Sequence, residues 1–353
     1  MESLAANPGM IPPDTAARHL EPWRRELAEA VTDPAELLHL LELDPALLPA
    51  ARRAAARFGL RVPRAYLANM RRGDPLDPLL MQVLPLAAEL EARAGFGPDP
   101  VGDRAAMEVP GVLAKYAGRA LLMTTGACAV NCRYCFRREF PYAEGTLTPA
   151  RLEAAVAGLA AMPGLEEVIL SGGDPLVLPT ARLLRISTAL GTLPGVGRLR
   201  IHTRTPVVLP ARVDGPLLDW LAGLPWRVVV VLHVNHPREL SADVQAACGA
   251  LARSGATLLN QSVLLKGVND DEAVLAELSN RLFDAGITPY YLHLLDRVAG
   301  TAHFDTASKT AAQLHAGLQA RLPGYLVPRL VREVPGAHAK SPVGPAGDPL
   351  DGC

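Results

Sequence analysis

The chain has 353 residues, of which 49% are hydrophobic and 20% are charged, so a large buried core is available and wholesale disorder is excluded. The formal net charge of -1 argues against a nucleic-acid-binding surface. Since no apolar run approaches the roughly 18–20 residues of a membrane-spanning helix, neither nucleic acid nor a membrane is an expected partner.

The first 115 residues are predicted to form an N-terminal helical extension. In the segment 31–41, leucines at helical spacing follow capping residues. Proline and glycine interrupt the remainder of this region, which carries no evident motif.

Between residues 116 and 334, short apolar strands alternate with helices, which predicts an α/β fold with a parallel sheet. The predicted strands are 120–125, 167–171, 198–203, 227–234, 257–265 and 288–294. Predicted helices between them include 149–161, 181–193, 241–254 and 271–285. Because the motifs described below follow strand ends, as they do in barrel enzymes, we predict a partial (β/α)6 TIM-like barrel. A short C-terminal segment, 335–353, completes the chain.

Three cysteines, Cys128, Cys132 and Cys135, follow the first predicted barrel strand with the spacing C-x3-C-x2-C. Three thiolates on a cubane [4Fe-4S] cluster leave one iron open for another ligand. This spacing, with an aromatic residue before the last cysteine, is typical of radical S-adenosylmethionine (SAM) enzymes. The open iron of such a cluster binds the amino and carboxylate groups of SAM, and an electron from the cluster cleaves SAM.

A zinc loop is the alternative interpretation of the same three cysteines. Zinc needs four ligands, so a distant Cys248 or His233 would have to complete the site. Clustered cysteines are typical of metal or redox sites in a reducing compartment, so we expect a cytoplasmic protein. Otherwise we expect Cys248 to pack in the core and Cys353 to lie in a tail.

A tight turn follows the second barrel strand at Ser171, Gly172, Gly173 and Asp174. Glycines let a backbone approach a ligand closely, so this turn is predicted to present backbone groups to the amino group of SAM. Such turns are also common for purely structural reasons. The position of this one, a single strand–helix unit after the cysteines, favours the binding role.

Six segments, the first of which contains the three cysteines, resemble segments of the lysine 2,3-aminomutase family of radical SAM enzymes and occur in the same order. They are 128–140, 171–174, 203–210, 233–237, 260–270 and 289–293. Three further segments are similar to the short bacterial branch that works with elongation factor P (EpmB-like). These are 140–144, 292–304 and 324–333. The resemblance implies a barrel of the radical SAM type.

The resemblance also implies pyridoxal 5′-phosphate (PLP), which needs a lysine for its imine and a cationic group for its phosphate. Lys340 is at the position of that lysine, although the family loop before it is richer in glycine. Arg119 is at the position of the phosphate-binding arginine, with Lys115 as a possible helper. The residues alone also allow a solvated tail lysine and a surface arginine at the edge of a strand.

The same resemblance implies the contacts to the substrate. Arg137 is at the position of the arginine that pairs with the substrate carboxylate, and Arg138 competes for that role. Asp296 and Glu333 are at the two acidic positions that hold the ε-ammonium group of lysine. The residues alone also allow surface ion pairs between these carboxylates and the arginine next to each in sequence.

Gln261, His233 and His236 follow strands and are expected to line the cofactor sites, although a lone strand histidine is more often a core residue. The expected enzyme is an isomerase, a PLP-dependent L-lysine 2,3-aminomutase whose β-lysine a separate lysyl-ligase attaches to elongation factor P. We expect an external electron donor of flavodoxin or ferredoxin type. Two alternatives stay open: a catabolic aminomutase for lysine or for glutamate, and a non-catalytic zinc or iron–sulfur protein that binds a translation partner.

Overall fold

A computed structural model describes residues 21–140 and 147–346 of the chain. Most of the segment 140–144, one of those that carry the family resemblance, and the tail residue Cys353 lie outside the described residues. Within the described ranges, no helix is both long enough and apolar enough to cross a membrane.

In the described part of the chain, ten strands form one sheet and are hydrogen-bonded in chain order. They are β1 (Met107–Val109), β2 (Val112–Tyr116), β3 (Arg119–Thr125), β4 (Glu167–Gly172), β5 (Arg198–Thr203), β6 (Arg227–Leu232), β7 (Thr257–Val263), β8 (Thr288–His293), β9 (Arg329–Arg332) and β10 (Ser341–Pro342). Strands β3 to β9 run parallel to one another. The pairs β1–β2, β2–β3 and β9–β10 are antiparallel and extend the sheet at its two edges.

Helices follow the parallel strands and cover the sheet. The α-helices in the described ranges are α1 (Pro22–Ala28), α2 (Pro34–Leu40), α3 (Leu48–Arg57), α4 (Arg64–Leu67), α5 (Pro78–Met81), α6 (Pro149–Ala160), α7 (Thr180–Leu190), α8 (Thr205–Val208), α9 (Gly215–Ala222), α10 (Ala242–Arg253), α11 (Glu272–Asp284) and α12 (Ser308–Arg321). The predicted partial barrel is confirmed. Its six predicted strands and four named helices are all present, with ends shifted by three residues or fewer.

Local sequence explains where the barrel helices begin. The side chains of Thr148, Asp214, Ser241 and Asp271 accept backbone N–H groups at the starts of α6, α9, α10 and α11. These caps satisfy donors that have no partner within the helix. The apolar faces of α6, α7, α9 and α10 then pack against the strands in one continuous core, which holds the strand ends in fixed positions.

The N-terminal extension has its own core, which includes Trp23, Leu37 and Tyr66. Ala129 and Val130, between the first two cysteines, belong to this core, so the extension supports the cysteine loop directly. The extension also contains β1 and most of β2, which the prediction of a helical segment omits. A two-residue turn, Pro110 and Gly111, joins these strands, with Gly111 at a φ of 86°.

The end of the described chain returns to the sheet through β9 and β10. Ser341 pairs with Arg332, so the chain reverses its direction between the two residues. The reversal brings Lys340 next to Glu333, although seven positions separate them in sequence.

Candidate active site

A cavity of about 660 Å³ lies where the parallel strands end. Its walls come from β2 and the start of β3, the cysteine loop after β3, the glycine turn after β4, residues within or just after β5 to β9, and the C-terminal reversal. Fourteen of the predicted site residues line it: Arg119, Cys128, Cys132, Cys135, Arg137, Ser171, Gly172, Gly173, Asp174, His233, Gln261, Asp296, Glu333 and Lys340. His236 does not line this cavity; its ring accepts the backbone N–H of Arg238 instead.

The three cysteine thiols form one wall of the cavity. We call this wall, together with Arg204, the cluster end. Burial and the neighbouring thiols raise the pKa of Cys128 and raise that of Cys135 to about 11. Binding to iron reverses this preference, because a metal holds cysteine as the thiolate. Three cysteines on one loop are a donor set suited to an iron–sulfur cluster.

The zinc interpretation of the loop requires four ligands grouped around one ion. Among the described residues, no three His, Cys, Asp or Glu side chains are grouped closely enough to hold a single metal ion. A zinc ion needs such a group, whereas each thiolate of a cubane cluster binds a different iron. Cys248 is fully buried in the barrel core, and His233 shares a hydrogen bond with Tyr134, 2.9 Å away. Both candidates for the fourth zinc ligand are therefore engaged elsewhere in the protein.

The glycine turn packs directly against the entry to the cysteine loop. A Cβ atom on Gly172 would come within 2.6 Å of the Thr125 carbonyl oxygen, and one on Gly173 would overlap the backbone of Ala127. The Asp174 N–H also donates to the Ala127 carbonyl, at 2.8 Å. Glycine is therefore required here so that the turn and the cysteine loop can touch, whichever ligand they bind.

The Asp174 carboxylate is almost completely buried and is engaged with the protein itself. It accepts the Thr203 hydroxyl at 2.7 Å and the backbone N–H groups of Arg204 and Thr205 at 2.7 and 2.9 Å. This residue joins the ends of β4 and β5. The Asp174 side chain is therefore occupied by protein groups. Its predicted role toward SAM would be filled by its backbone, or by keeping the ends of β4 and β5 in place.

Charges of alternating sign form what we call the charged end of the cavity: Arg137, Asp103, Lys115, Glu333 and Lys340, with Asp296 beside them. Asp103 accepts Arg137 Nε at 2.7 Å through one oxygen and lies 2.7 Å from Lys115 Nζ through the other. Glu333 lies 3.5 Å from the same ammonium group and 2.6 Å from Lys340 Nζ. Each of the five charges other than Asp296 therefore has a partner of opposite sign.

The two acidic residues predicted to hold an ammonium group have opposite ionisation preferences. Burial raises the pKa of Asp296 to about 7, with Lys340 opposing the shift. Burial also disfavours the ionised form of Glu333, but Lys340, Tyr116 and Lys115 outweigh it and lower its pKa below the usual range. Tyr116 contributes a hydrogen bond of 2.7 Å. One carboxylate is thus firmly ionised, and the other changes its charge near neutral pH.

The alternative of surface ion pairs is wrong for both acidic residues. Arg297, next to Asp296, pairs with Asp305 at 3.2 Å, and Arg332 donates to the hydroxyl of Ser308. Arg138, the competitor of Arg137, does not line the cavity. It pairs instead with the buried Glu89, at 2.7 Å.

The residues predicted to hold PLP match two of its features. A guanidinium suits its anionic phosphate, and an amine suits its aldehyde. Arg119 lies with its guanidinium 4.9 Å from the centre of the Tyr116 ring, and its buried Nε has no hydrogen-bond partner within the described protein. A buried donor without a partner is costly, and a phosphate oxygen would satisfy it. Lys340 brings its amine into the same cavity, 5.8 Å from the centre of the Tyr291 ring.

Several cavity residues were not predicted from the sequence: Asp103, Tyr116, His202, Arg204 and His293. His202 and His293 lie near the ends of β5 and β8, and the strand-end argument used for Gln261 could have found them. Burial lowers the pKa of both rings, so they are neutral. Asp103 and Tyr116 have no local signal, because they reach the cavity from positions before the first predicted barrel strand, 120–125.

Known proteins are similar in sequence to this chain over most of its length. A family model described as the Radical SAM superfamily matches residues 122–278. The chain is 47% identical over 324 residues to the L-lysine 2,3-aminomutase of Escherichia coli (strain K12), which spans 92% of this chain and 94% of that protein. It is 42% identical to the enzyme of that name from Haemophilus influenzae, over 94% of this chain and 98% of that protein.

The similarity extends to a more distant protein of the same name. The L-lysine 2,3-aminomutase of Clostridium subterminale is 34% identical, over 92% of this chain and 78% of that protein. Among solved structures, a radical SAM methyltransferase from Sphaerobacter thermophilus aligns with a TM-score of 0.45 and 18% identity, over 63% of this chain and 68% of that one.

Proposed function

The chain belongs to the lysine 2,3-aminomutase family of radical SAM enzymes, and on that premise we propose that it converts L-lysine to β-lysine with PLP as a cofactor. One observation carries the proposal: the cysteines, Lys340 and the charged groups expected to hold lysine all line a single cavity. Its volume is within the range of ligand pockets.

The residues divide the cavity among three bound groups. Cys128, Cys132 and Cys135 hold the [4Fe-4S] cluster, and the turn 171–174 lies beside them for SAM. Lys340 would supply the amine that binds PLP, and the unpartnered Nε of Arg119 would bind its phosphate. When bound, the cluster and SAM supply one-electron chemistry, and PLP supplies a π system through which an amino group can move between neighbouring carbons.

The charged end selects and orients the substrate. Arg137 binds the α-carboxylate, and Asp103 holds the guanidinium in place through Nε. Asp296 and Glu333 bind the ε-ammonium group. A glutamate side chain would bring a carboxylate to the same two acids, and the resulting repulsion favours lysine over glutamate. Fixed charges at both ends of the substrate place its reacting carbons between them.

The proposal is tested with the complete chain, reconstituted without oxygen. After addition of PLP, SAM and dithionite, L-lysine should be converted to β-lysine, as followed by chromatography and mass spectrometry. L-glutamate at the same concentration should neither react nor compete. Intact SAM and unchanged lysine, in a protein with a full cluster and bound PLP, would rule the activity out.

We extend the proposal to elongation factor P because 292–304 and 324–333 are similar to the short bacterial branch. In this role the chain acts in the cytoplasm, takes electrons from a flavodoxin or ferredoxin type of donor, and supplies β-lysine to a lysyl-ligase. The test supplies a purified ligase and elongation factor P with the product of this enzyme, and intact mass measures the adduct. A ligase that attaches α-lysine and ignores this product would contradict the extension.

A further inference from the structure

Arg204 is a buried cation in direct contact with a predicted cluster ligand. It follows β5, and 6% of its surface is exposed. Its NH1 group donates to Cys132 Sγ at 2.8 Å and to the Tyr134 hydroxyl at 2.7 Å. The function proposed above does not use this contact.

The other side of the guanidinium is anchored in the protein. The NH2 group of Arg204 donates to Glu239 at 2.9 Å, to Gln82 at 2.7 Å and to the Tyr66 hydroxyl at 3.1 Å. Glu239 is fully buried, so this ion pair is shielded from solvent and from salt. The guanidinium is thus held in one orientation by groups from the N-terminal extension and from the segment after β6.

We infer that Arg204 sets the reduction potential of the [4Fe-4S] cluster through its hydrogen bond to Cys132. The potential of such clusters depends on the net charge around them and on hydrogen bonds to their sulfurs. Reduction adds negative charge to the cluster, and a nearby cation stabilises that charge. Arg204 therefore raises the potential, which makes the reduced cluster easier to form. Glu239, on the far side of the guanidinium, partly offsets this effect.

The inference concerns the cluster alone and does not depend on lysine or PLP. It predicts opposite shifts from two changes in one network. Glu239→Gln removes the opposing negative charge and should raise the potential. Arg204→Gln combined with Glu239→Gln removes the donor to sulfur without leaving a buried charge unpaired, and should lower it. Tyr66→Phe removes one contact of Arg204 but not the contact with sulfur, and should leave the potential unchanged.

The experiment is a redox titration of the full chain with a reconstituted cluster, followed by electron paramagnetic resonance, without SAM or substrate. Iron and sulfide are quantified for each variant, so that cluster content is separated from potential. At one fixed ambient potential, the double variant should show a ratio of reduced to oxidised cluster about tenfold below wild type, which corresponds to about 59 mV for one electron.

The design separates tuning from a merely structural role. Equal potentials in wild type and the double variant, at equal cluster content, would overturn the inference. A shift of the same sign in all three variants would also overturn it. Such a result would indicate that the variants disturb the structure around the cluster, whichever charge is removed. If the double variant does not fold, Glu239→Gln against Tyr66→Phe decides, and equal potentials in those two reject the role of Arg204. A normal titration in a chain that fails to convert lysine would leave this inference intact and reject the proposed activity.

Discussion

The two ends of the cavity are built in different ways. At the cluster end, the three cysteines lie within eight consecutive residues, on a loop that packs against the core of the N-terminal extension. At the charged end, the groups come from segments far apart in the chain: Lys115 and Glu333 are separated by 218 positions. The cluster end therefore depends on one loop and its support, whereas the charged end exists only when the sheet has brought its two edges together.

The largest expected effect is a complete loss of activity, which should arise from the loss of a different cofactor at each end of the cavity. Cys135→Ala should abolish activity by removing a cluster ligand while PLP remains bound, and Lys340→Ala should abolish activity while the iron content stays full. Lys309→Ala, which changes an exposed lysine on α12, serves as the control and should match wild type. Iron analysis and the absorbance of lysine-bound PLP measure the two losses. If Lys340→Ala keeps that absorbance, its assigned role is wrong.

The next effect concerns stability at the cluster end. Glu89 is 1% exposed and pairs with both Arg133 and Arg138, which flank the third cysteine in sequence. Glu89→Gln leaves two buried guanidinium groups without their counter-charge, so the free energy of unfolding should fall by about 3–5 kcal/mol. Urea denaturation measures the change.

An exposed ion pair provides the control for that measurement. Glu166 pairs with Arg198 at 2.7 Å, and both side chains are about half exposed. Glu166→Gln should change the free energy of unfolding by about 1 kcal/mol or less. Similar losses in the two variants would mean that the buried ion pairs do not stabilise the cysteine loop in the way that the structure indicates.

At the charged end, the loss of a carboxylate should affect binding more than stability. Asp103→Asn weakens the anchor of Arg137 and places that guanidinium near Lys115 without a charge between them. Charged hydrogen bonds contribute about 1.5–3 kcal/mol, so we expect the KM for lysine to rise by roughly 10- to 100-fold. We expect kcat to change less, because Asp103 acts through Arg137.

Steady-state kinetics at saturating SAM measures KM and kcat separately. Asp305→Asn, at the partly exposed pair with Arg297, is the control and should leave both constants near their wild-type values. An equal fall in kcat with an unchanged KM would show that Asp103 supports the reaction itself rather than the binding of lysine.

The same contrast explains what could be predicted from the sequence. Strand periodicity identified the barrel, because each parallel strand is a short, buried apolar run such as β6. The cysteine spacing identified the cluster end, because its ligands are local. Asp103 and Tyr116 escaped prediction, because the antiparallel pair β1–β2 and the loop before it bring them to the cavity by long-range pairing. No local pattern encodes such a contact.

Arg204 shows a further limit of sequence reasoning. It lies inside the segment 203–210, which resembles the family, yet nothing local indicates that its side chain turns toward Cys132 rather than into the cavity alone. That orientation is fixed by Glu239, Gln82 and Tyr66 on one side of the guanidinium and by Tyr134 on the other. Some of the charged residues at both ends of the cavity can be identified from the sequence. Which of them contact one another can be seen only in the folded structure.

The smallest expected effect is a pH dependence at the charged end. The pKa of Asp296 is raised to about 7, chiefly by burial, so its carboxyl is protonated at pH 6 and ionised at pH 8. The lowered pKa keeps Glu333 ionised throughout this interval. The ε-ammonium group of lysine binds the ionised form, so the affinity for lysine should rise by about tenfold from pH 6 to pH 8, following the ionised fraction of Asp296. Asp296→Asn should bind lysine more weakly at pH 8 and lose this dependence. The same slope in that variant would assign the titration to another group, since the neutral amide cannot change its charge.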